Sequence, residues 1–251
     1  MERIKEVIKE KLSEIEKCEG VKILHCVESG SRVWGFPSPD SDYDVRFIYV
    51  RQKEHYLRLD KTRDVIEWQL DETLDISGWD LQKMLRLLYK SNPTVFEWKN
   101  SPIVYKTTEE WKRIADIIDE YFSIKSGIYH YLHMAQSNYA EYLKGERVRL
   151  KKYFYVLRPV LACRYIKTEK QAPPMRFEEL LTLAEPEVRQ EISKLLELKA
   201  TTSELGMGDA IPCINEYIER QFVEIEAFAK TVPFEEKRGC ERLNKIFLSV
   251  L

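Results

Sequence analysis

The amino-acid sequence predicts an α+β fold in which a mixed sheet precedes an all-helical region. Strand patterns, some with alternating apolar residues, are confined to residues 21–105. From residue 106 onward, apolar residues recur at helical spacing. A chain of 251 residues with 44% hydrophobic and 33% charged residues exceeds the usual single-domain length and can bury a core. We therefore expect two domains, residues 1–105 and 106–251.

The N-terminal region is predicted to begin with an amphipathic helix that Gly20 can end. The apolar residues at helical spacing are Ile4, Val7, Ile8, Leu12 and Ile15. Strands are predicted next at residues 21–28, 43–50, 63–70 and 74–77. A leucine-rich helix at 79–89 then stops before Pro93, because proline disfavours helical geometry in the residue before it.

Helices alone are predicted beyond Lys106. Residues 107–110 have the spacing of a capping box, which starts a helix ahead of Trp111. The segment 200–208 is expected to be a loose connection. The further helices are predicted at residues 123–144, 148–167, 213–230 and 236–250.

Two glycines and two aspartates form the most informative motif. The run from Gly30 to Gly35, with Ser31 after the first glycine, lies between the first two predicted strands. Glycine permits backbone torsions closed to other residues and lets a hydroxyl and backbone N–H groups approach phosphate oxygens. Asp42 and Asp44 project to one face of the second strand, as Mg²⁺ bridging phosphates requires. The motif predicts metal-dependent chemistry on a nucleoside triphosphate; the alternative is a polar hairpin whose aspartates only form a turn.

The spacing G-S-x-x-x-G, five residues and then S-D-x-D resembles the nucleotidyltransferase superfamily of DNA polymerase β, poly(A) polymerases, CCA-adding enzymes and aminoglycoside nucleotidyltransferases. The longer runs at residues 28–36, 41–49 and 151–159 look like its bacterial and phage branch, the RNA-repair-pathway DNA polymerase β family. This resemblance implies that residues 1–105 form a polymerase β-like palm, the nucleotidyltransferase catalytic domain. Residues 106–251 would form a helical domain that binds nucleotide and substrate.

A polymerase β-like site usually needs a third carboxylate from a neighbouring strand. Asp75 lies between apolar neighbours on a short predicted strand and is the first candidate, with Glu67 as the second. The resemblance implies that Asp42, Asp44 and Asp75 hold two Mg²⁺ or Mn²⁺ ions. A hydroxyl would then attack the α-phosphorus of a nucleoside triphosphate such as ATP, and pyrophosphate would leave. Arg46, on the same face, is expected to balance the carboxylates, to touch phosphate or to form a structural ion pair.

Phosphate contacts are expected from both regions of the chain. Gly30, Ser31 and Arg32 are the N-terminal candidates. Residues 144–170 hold nine cations and two acids, although the net charge of the whole chain is −2. Such a stripe can bind a polyphosphate or an RNA end, or it can be a solvated helix face. The candidate triphosphate ligands in it are Lys151, Lys152 and Arg158.

Spacing connects these cations to one another and to aromatic residues. Lys144, Lys151 and Arg158 recur every seven residues, so they would share a face if the segment were one continuous helix. The neighbouring aromatic run, residues 153–155, is expected to include at most one base-stacking residue, because consecutive helical residues face different ways.

Three classes of function remain open. The leading class transfers a nucleoside monophosphate to an RNA 3′ end in RNA repair, with an RNA ligase as a candidate partner. The second transfers AMP to a protein or small molecule, as antitoxin-like and antibiotic-modifying members do. The third binds nucleotides without turnover, which the intact aspartate pair makes less favourable.

Composition restricts the cellular setting. No apolar run approaches the ~20 residues that cross a bilayer, and the N-terminus has no apolar signal core. A cytoplasmic location without membrane contact is therefore expected. The five cysteines are scattered without a C-x-x-C pair, which indicates reduced thiols rather than disulfides or a zinc site.

Overall fold

A computed structural model describes residues 2–38, 41–60, 62–71, 73–201, 206–233 and 238–251. The elements of the N-terminal part are, in chain order, helix α1 (Glu2–Glu19), strand β1 (Val21–Ser29), helix α2 (Gly30–Trp34), strand β2 (Tyr43–Arg51), helix α3 (Lys53–Tyr56), strands β3 (Val65–Asp71) and β4 (Leu74–Asp80), helices α4 (Leu81–Tyr89) and α5 (Pro93–Lys99), and strand β5 (Val104–Thr107).

The remainder of the described chain is mainly helical. Its elements are helix α6 (Glu109–Ile118), a 3₁₀ turn (Asp119–Tyr121), helix α7 (Ile124–Tyr142), strand β6 (Arg147–Arg149), helices α8 (Lys152–Glu169), α9 (Phe177–Leu181) and α10 (Pro186–Thr201), strand β7 (Met207–Asp209), and helices α11 (Pro212–Thr231) and α12 (Glu241–Val250). None of the described helices has both the length and the apolar content to cross a membrane.

The five long strands form one mixed sheet in the order β3-β4-β2-β1-β5. Strands β2 and β4 run parallel, whereas the β1–β2, β1–β5 and β3–β4 pairs are antiparallel. The α+β fold class is therefore confirmed. Helix α4 begins at Leu81, because Asp80 still belongs to β4 and its side chain accepts a hydrogen bond from the Gln82 backbone N–H at 2.7 Å.

Each face of the sheet packs against its own helices. Helix α1 covers one face through a core cluster that includes Ile8, Leu12 and Phe47. The opposite face packs against α4, α5 and α6, and α12 closes the same cluster through Leu243. Alternation along the strands explains this division, since successive side chains point to opposite faces.

A second core lies between α7, α8 and α11, with α9 and α10 against it. Phe36, from the segment after α2, is part of this helical core and stacks on Phe154 with ring centroids 4.8 Å apart. The division at residues 105 and 106 stays a prediction. The clusters support a proposal in which α6 and α12 pack with the sheet and the remaining C-terminal helices form their own layer.

Two expectations for the helical region require correction. The segment 148–167 is not one helix, because residues 147–149 form β6, which pairs with β7, and α8 begins only at Lys152. Lys144 lies outside the helices, so Lys144, Lys151 and Arg158 do not share a helix face. The region that was expected to be all helical thus contains a two-stranded ribbon. Part of the loose segment expected at 200–208, residues 202–205, lies outside the described residues.

Candidate active site

Sheet register brings two of the expected carboxylates together. Asp44 is the second residue of β2, and Asp75 is its Cα partner on the parallel strand β4. Residues in register on paired strands point to the same face, so both side chains lie at one end of the sheet. Asp42 precedes β2 and is exposed. Glu67, the second candidate, lies in register with Ser77 and forms an exposed ion pair with Arg63.

Arg46 bridges the two carboxylates in register. Its Nη2 lies 2.8 Å from Asp44 Oδ1 and 2.7 Å from Asp75 Oδ2. Its Nη1 also donates a hydrogen bond to the Asp75 backbone carbonyl at 2.9 Å. These ion pairs agree with two of the roles expected for Arg46, charge balance of the carboxylates and a structural ion pair.

Burial and neighbouring charges act on Asp44. Burial is the main reason that the pKa of Asp44 is raised, and Arg46 opposes the rise, whereas Asp75 and Asp42 add to it. The three aspartates are therefore close enough to interact through their charges. A bound cation would relieve this repulsion.

Gly30 makes room for Asp44 at the start of α2. Its φ is +64°, in the left-handed region where side chains are disfavoured. A Cβ added at Gly30 would overlap Asp44 Oδ2. The segment from Gly30 is a short helix rather than an open turn, and Gly35 ends it at φ +92°. The glycine segment and the carboxylates are thus in direct contact.

Ser31 and Arg32 join α2 to the beginning of β2. The Ser31 hydroxyl donates to Ser41 Oγ at 3.2 Å, and Ser41 Oγ also lies 2.9 Å from Ser38 Oγ. Arg32 Nε donates to the Asp42 carbonyl at 3.0 Å, and the guanidinium lies 3.7 Å from the Tyr43 ring centroid. Arg32 therefore holds the backbone next to the aspartates.

Glu28 is a site residue that sequence reasoning missed. It is 1% exposed, and its Oε1 accepts a hydrogen bond from the Asp44 backbone N–H at 2.9 Å. The Tyr105 hydroxyl donates to the other carboxylate oxygen, and burial raises the pKa of Glu28. The available signal was an acidic residue at the end of an otherwise apolar strand, two residues before Gly30.

One partly exposed aromatic residue of the helical region packs against the end of α2. Tyr153 and Phe154 are fully buried, whereas Tyr155 is 40% exposed. Burial raises the pKa of Tyr155, and the charges of Asp44 and Asp42 raise it further. Its ring packs edge-on against Trp34 of α2, with ring centroids 5.8 Å apart. Lys152 lies beside it, with Nζ 3.9 Å from the Tyr142 ring centroid and 4.9 Å from that of Tyr155. The expectation of one outward-facing aromatic residue agrees with this arrangement.

Arg158 lies in a different environment from the one expected of a triphosphate ligand. It is 3% exposed, and its Nη1 lies 2.9 Å from Glu97 Oε1. Tyr131 donates to the same carboxylate oxygen at 2.8 Å. The Arg158 guanidinium lies 4.7 Å from the Trp34 ring, so it supports α2 from the helical side. Because Arg158 is paired and buried, we correct its expected role from phosphate contact to support of this segment.

The donor set suits a hard divalent cation. Asp42, Asp44 and Asp75 offer only oxygen ligands, which Mg²⁺ and Mn²⁺ prefer. Within the described residues, no group of three or more His, Cys, Asp or Glu side chains is already arranged to hold a metal. Arg46 contacts two of these three carboxylates. The chemistry and mutual repulsion of the carboxylates fit a cation that would compete with Arg46.

Comparisons with known proteins agree with the motif. The sequence model of the RNA repair pathway DNA polymerase beta family matches residues 4–249. The uncharacterized protein YcgL of Bacillus subtilis (strain 168) is 45% identical over 254 residues, covering 99% of this chain and 96% of that protein. A crystal structure of a nucleotidyltransferase-like protein from Exiguobacterium sibiricum 255-15 aligns with 89% of this chain and 75% of its own, at 12% identity and a TM-score of 0.34, a likeness too weak to carry an argument.

Proposed function

Because this chain belongs to the RNA repair pathway DNA polymerase beta family, we propose that it transfers a nucleoside monophosphate from a nucleoside triphosphate to a hydroxyl acceptor. The acceptor that the family description favours is an RNA end. One observation carries the proposal: the parallel register pairs Asp44 with Asp75, and Asp44 in turn lies against Gly30, whose missing side chain it requires. If the aspartates only formed a turn, contacts between these three separate segments would not be needed.

Asp42, Asp44 and Asp75 would hold the divalent cation. When bound, Mg²⁺ or Mn²⁺ would neutralise charge on the transferred phosphoryl group and on the leaving pyrophosphate. Arg46 would release Asp44 and Asp75 as the cation binds, because the cation and the guanidinium would compete for the same carboxylate oxygens. Its guanidinium would then be free to contact a phosphate oxygen.

The remaining residues of the site would position the substrates. Ser31 and the backbone at Gly30 would contact the triphosphate, and Tyr155 would stack on the base. The acceptor oxygen would form a bond to the α-phosphorus while the bond from that phosphorus to the bridging oxygen breaks. Pyrophosphate would leave with the bonding electrons, and the acceptor proton would pass to Asp75, whose side chain is 54% exposed and so open to an entering acceptor.

Lys151 and Lys152 would act from the helical side. Lys151 directly precedes α8 and lies four residues before Tyr155, so it is at the same end of α8 as the proposed base position. Lys152 is held against two aromatic rings. Both cations are therefore suited to the outer phosphates of a nucleotide stacked on Tyr155.

The decisive experiment is transfer from each of the four α-³²P-labelled nucleoside triphosphates, with Mg²⁺, to a short RNA with a free 3′ hydroxyl. Extension of the RNA by the wild-type protein but not by Asp44→Asn would support the proposal and identify the nucleotide. The matched control is Asp116→Asn, an exposed aspartate on α6 that should leave transfer unchanged. Label that enters protein or a small molecule while RNA stays unmodified would contradict the RNA acceptor. Tight nucleotide binding without any transfer would contradict the reaction itself.

A further inference from the structure

The β6–β7 ribbon carries two arginines on one face. Arg147 and Arg149 are exposed, whereas Val148 between them is 1% exposed and belongs to the helical core. Alternate residues of a strand are about 6.5 Å apart on the same face. That separation is close to the distance between successive phosphates of an extended nucleic-acid strand.

Packing fixes the ribbon to the helical core. Val148 pairs with Gly208 on β7, and a Cβ added at Gly208 would press into the Leu150 side chain. The Leu150 backbone N–H also donates to the Gly206 carbonyl at 3.2 Å. The two arginines therefore project from a supported strand, which lowers the entropic cost of ordering them on a ligand.

The ribbon continues into the candidate active site. Arg149 ends β6 only three residues before Lys152, where α8 begins. Lys152 in turn contacts the rings of Tyr142 and Tyr155. Tyr155 packs edge-on against Trp34, the last residue of α2, with ring centroids 5.8 Å apart.

Cations and aromatic rings therefore lie side by side between the ribbon and α2. We call the outer part of this surface the ribbon path and define it by three residues, Arg147, Arg149 and Tyr142; it leads to Lys151, Lys152 and Tyr155, which the proposed reaction assigns to the nucleotide. Four cations, Arg147, Arg149, Lys151 and Lys152, stand here against three acids, Glu141, Glu146 and Asp209, of which Asp209 is the register partner of Arg147. The surface thus keeps a small positive excess in a chain whose net charge is −2. Cations beside partly exposed rings suit single-stranded nucleic acid, in which phosphates alternate with stackable bases.

We propose that the ribbon path binds the single-stranded RNA nucleotides that lie upstream of the acceptor 3′ hydroxyl. This inference rests on the proposed transfer to an RNA end and adds which part of the chain holds the RNA. Arg147 and Arg149 contact successive phosphates, and the partly exposed ring of Tyr142 contacts a base. An acceptor too short to reach the ribbon gains nothing from either arginine.

The test compares Arg147→Ala/Arg149→Ala with Arg3→Ala/Arg113→Ala, a matched pair of exposed arginines on α1 and α6. Binding of a fluorescent eight-nucleotide RNA is followed by anisotropy from low to high salt. We expect the ribbon variant to bind about tenfold more weakly. Its plot of log affinity against log salt should be shallower by about 1.4, since each lost phosphate contact on a single strand removes about 0.7. The control pair should match wild type.

Transfer assays separate this inference from the proposed reaction. With a dinucleotide acceptor the ribbon variant should equal wild type, whereas KM for the eight-nucleotide acceptor should rise about tenfold with kcat unchanged. Unchanged RNA affinity and salt slope in the ribbon variant would overturn the inference, and so would loss of transfer to the dinucleotide. Displacement of RNA by a polyglutamate peptide as readily as by unlabelled RNA would assign the surface to acidic proteins instead. Because anisotropy needs no turnover, it decides the inference even where transfer fails.

Discussion

The two sides of the candidate site hold their charges in opposite ways. On the sheet side, Asp44 and Asp75 sit at strand ends, partly exposed, and share one arginine, Arg46. On the helical side, Arg158 is buried in a pair with Glu97. Lys152, in contrast, is partly exposed over aromatic rings, and Arg147 and Arg149 are exposed on the ribbon.

This difference separates charges that are available for chemistry from charges that hold the fold. The ionised form of a carboxylate is stabilised by a bound cation when burial and neighbouring carboxylates have raised its pKa. A buried ion pair has already lost its hydration, and its removal leaves an uncompensated charge. Substitutions on the two sides should therefore affect different measurements.

The largest effect is expected for Asp44→Asn on the sheet side. Loss of one ligand for the cation should lower transfer about 10³-fold or more, since metal-ion catalysis supplies several kcal/mol. Stability should not fall, because the raised pKa means that the ionised carboxylate is less favourable in the folded than in the unfolded chain at neutral pH. Single-turnover transfer and thermal unfolding measure the two effects. A fall in Tm with transfer preserved would reverse the distinction between the two sides.

The next largest effect is expected for Arg158→Met on the helical side. Breaking the buried pair should cost about 3–5 kcal/mol of unfolding free energy, because Glu97 is left without its partner. The double variant Arg158→Met/Glu97→Leu should recover much of this loss. Arg147→Ala, on the exposed ribbon, should stay within about 0.5 kcal/mol of wild type. Urea unfolding provides the free energies; equal losses in the single and double variants would contradict the ion-pair explanation.

The contrast between the sheet side and the helical side also explains which parts of the site the sequence predicts. Strand alternation determines which face a residue occupies, but the pairing that sets Asp44 beside Asp75 depends on the register between β2 and β4, which only the structure shows. In the helical region, a seven-residue spacing predicted a shared face for Lys144 and Arg158, but β6 interrupts the helix between them. Neither the three-residue ribbon nor the Glu97 partner of Arg158 leaves a local pattern, because both depend on contacts between distant segments.

Buried titratable groups extend the comparison to pH. Within the sheet, His25 is 4% exposed and stacks on Trp111 at 4.3 Å, and burial lowers its pKa to about 4. Between pH 6.5 and 4 the unfolded chain binds a proton that the folded chain does not, so stability falls as pH falls through this range. The cost on going from pH 7 to pH 5 is at most about 2 kcal/mol.

His25→Phe should remove this cost while keeping an aromatic ring against Trp111. Urea unfolding at pH 7 and pH 5 should show a smaller loss of stability in the variant than in wild type, by up to about 2 kcal/mol. Arg158 should not contribute to this pH dependence, because its guanidinium stays charged across the range and its pair with Glu97 should persist. Parallel pH profiles for wild type and His25→Phe would show that His25 does not titrate as a buried neutral group.

The smallest effects are expected at the two glycines that bound the segment between the sides. Gly30 and Gly35 both have positive φ, so alanine at either should cost about 1 kcal/mol in backbone strain. Only at Gly30 would the new Cβ overlap Asp44; at Gly35 it would meet nothing within 4 Å. Gly30→Ala should therefore also lower transfer about tenfold, which corresponds to about 1.4 kcal/mol. Gly35→Ala should transfer at the wild-type rate, and its Tm should be similar to that of Gly30→Ala. Equal transfer rates in the two variants would mean that the contact between Gly30 and Asp44 affects stability but not transfer.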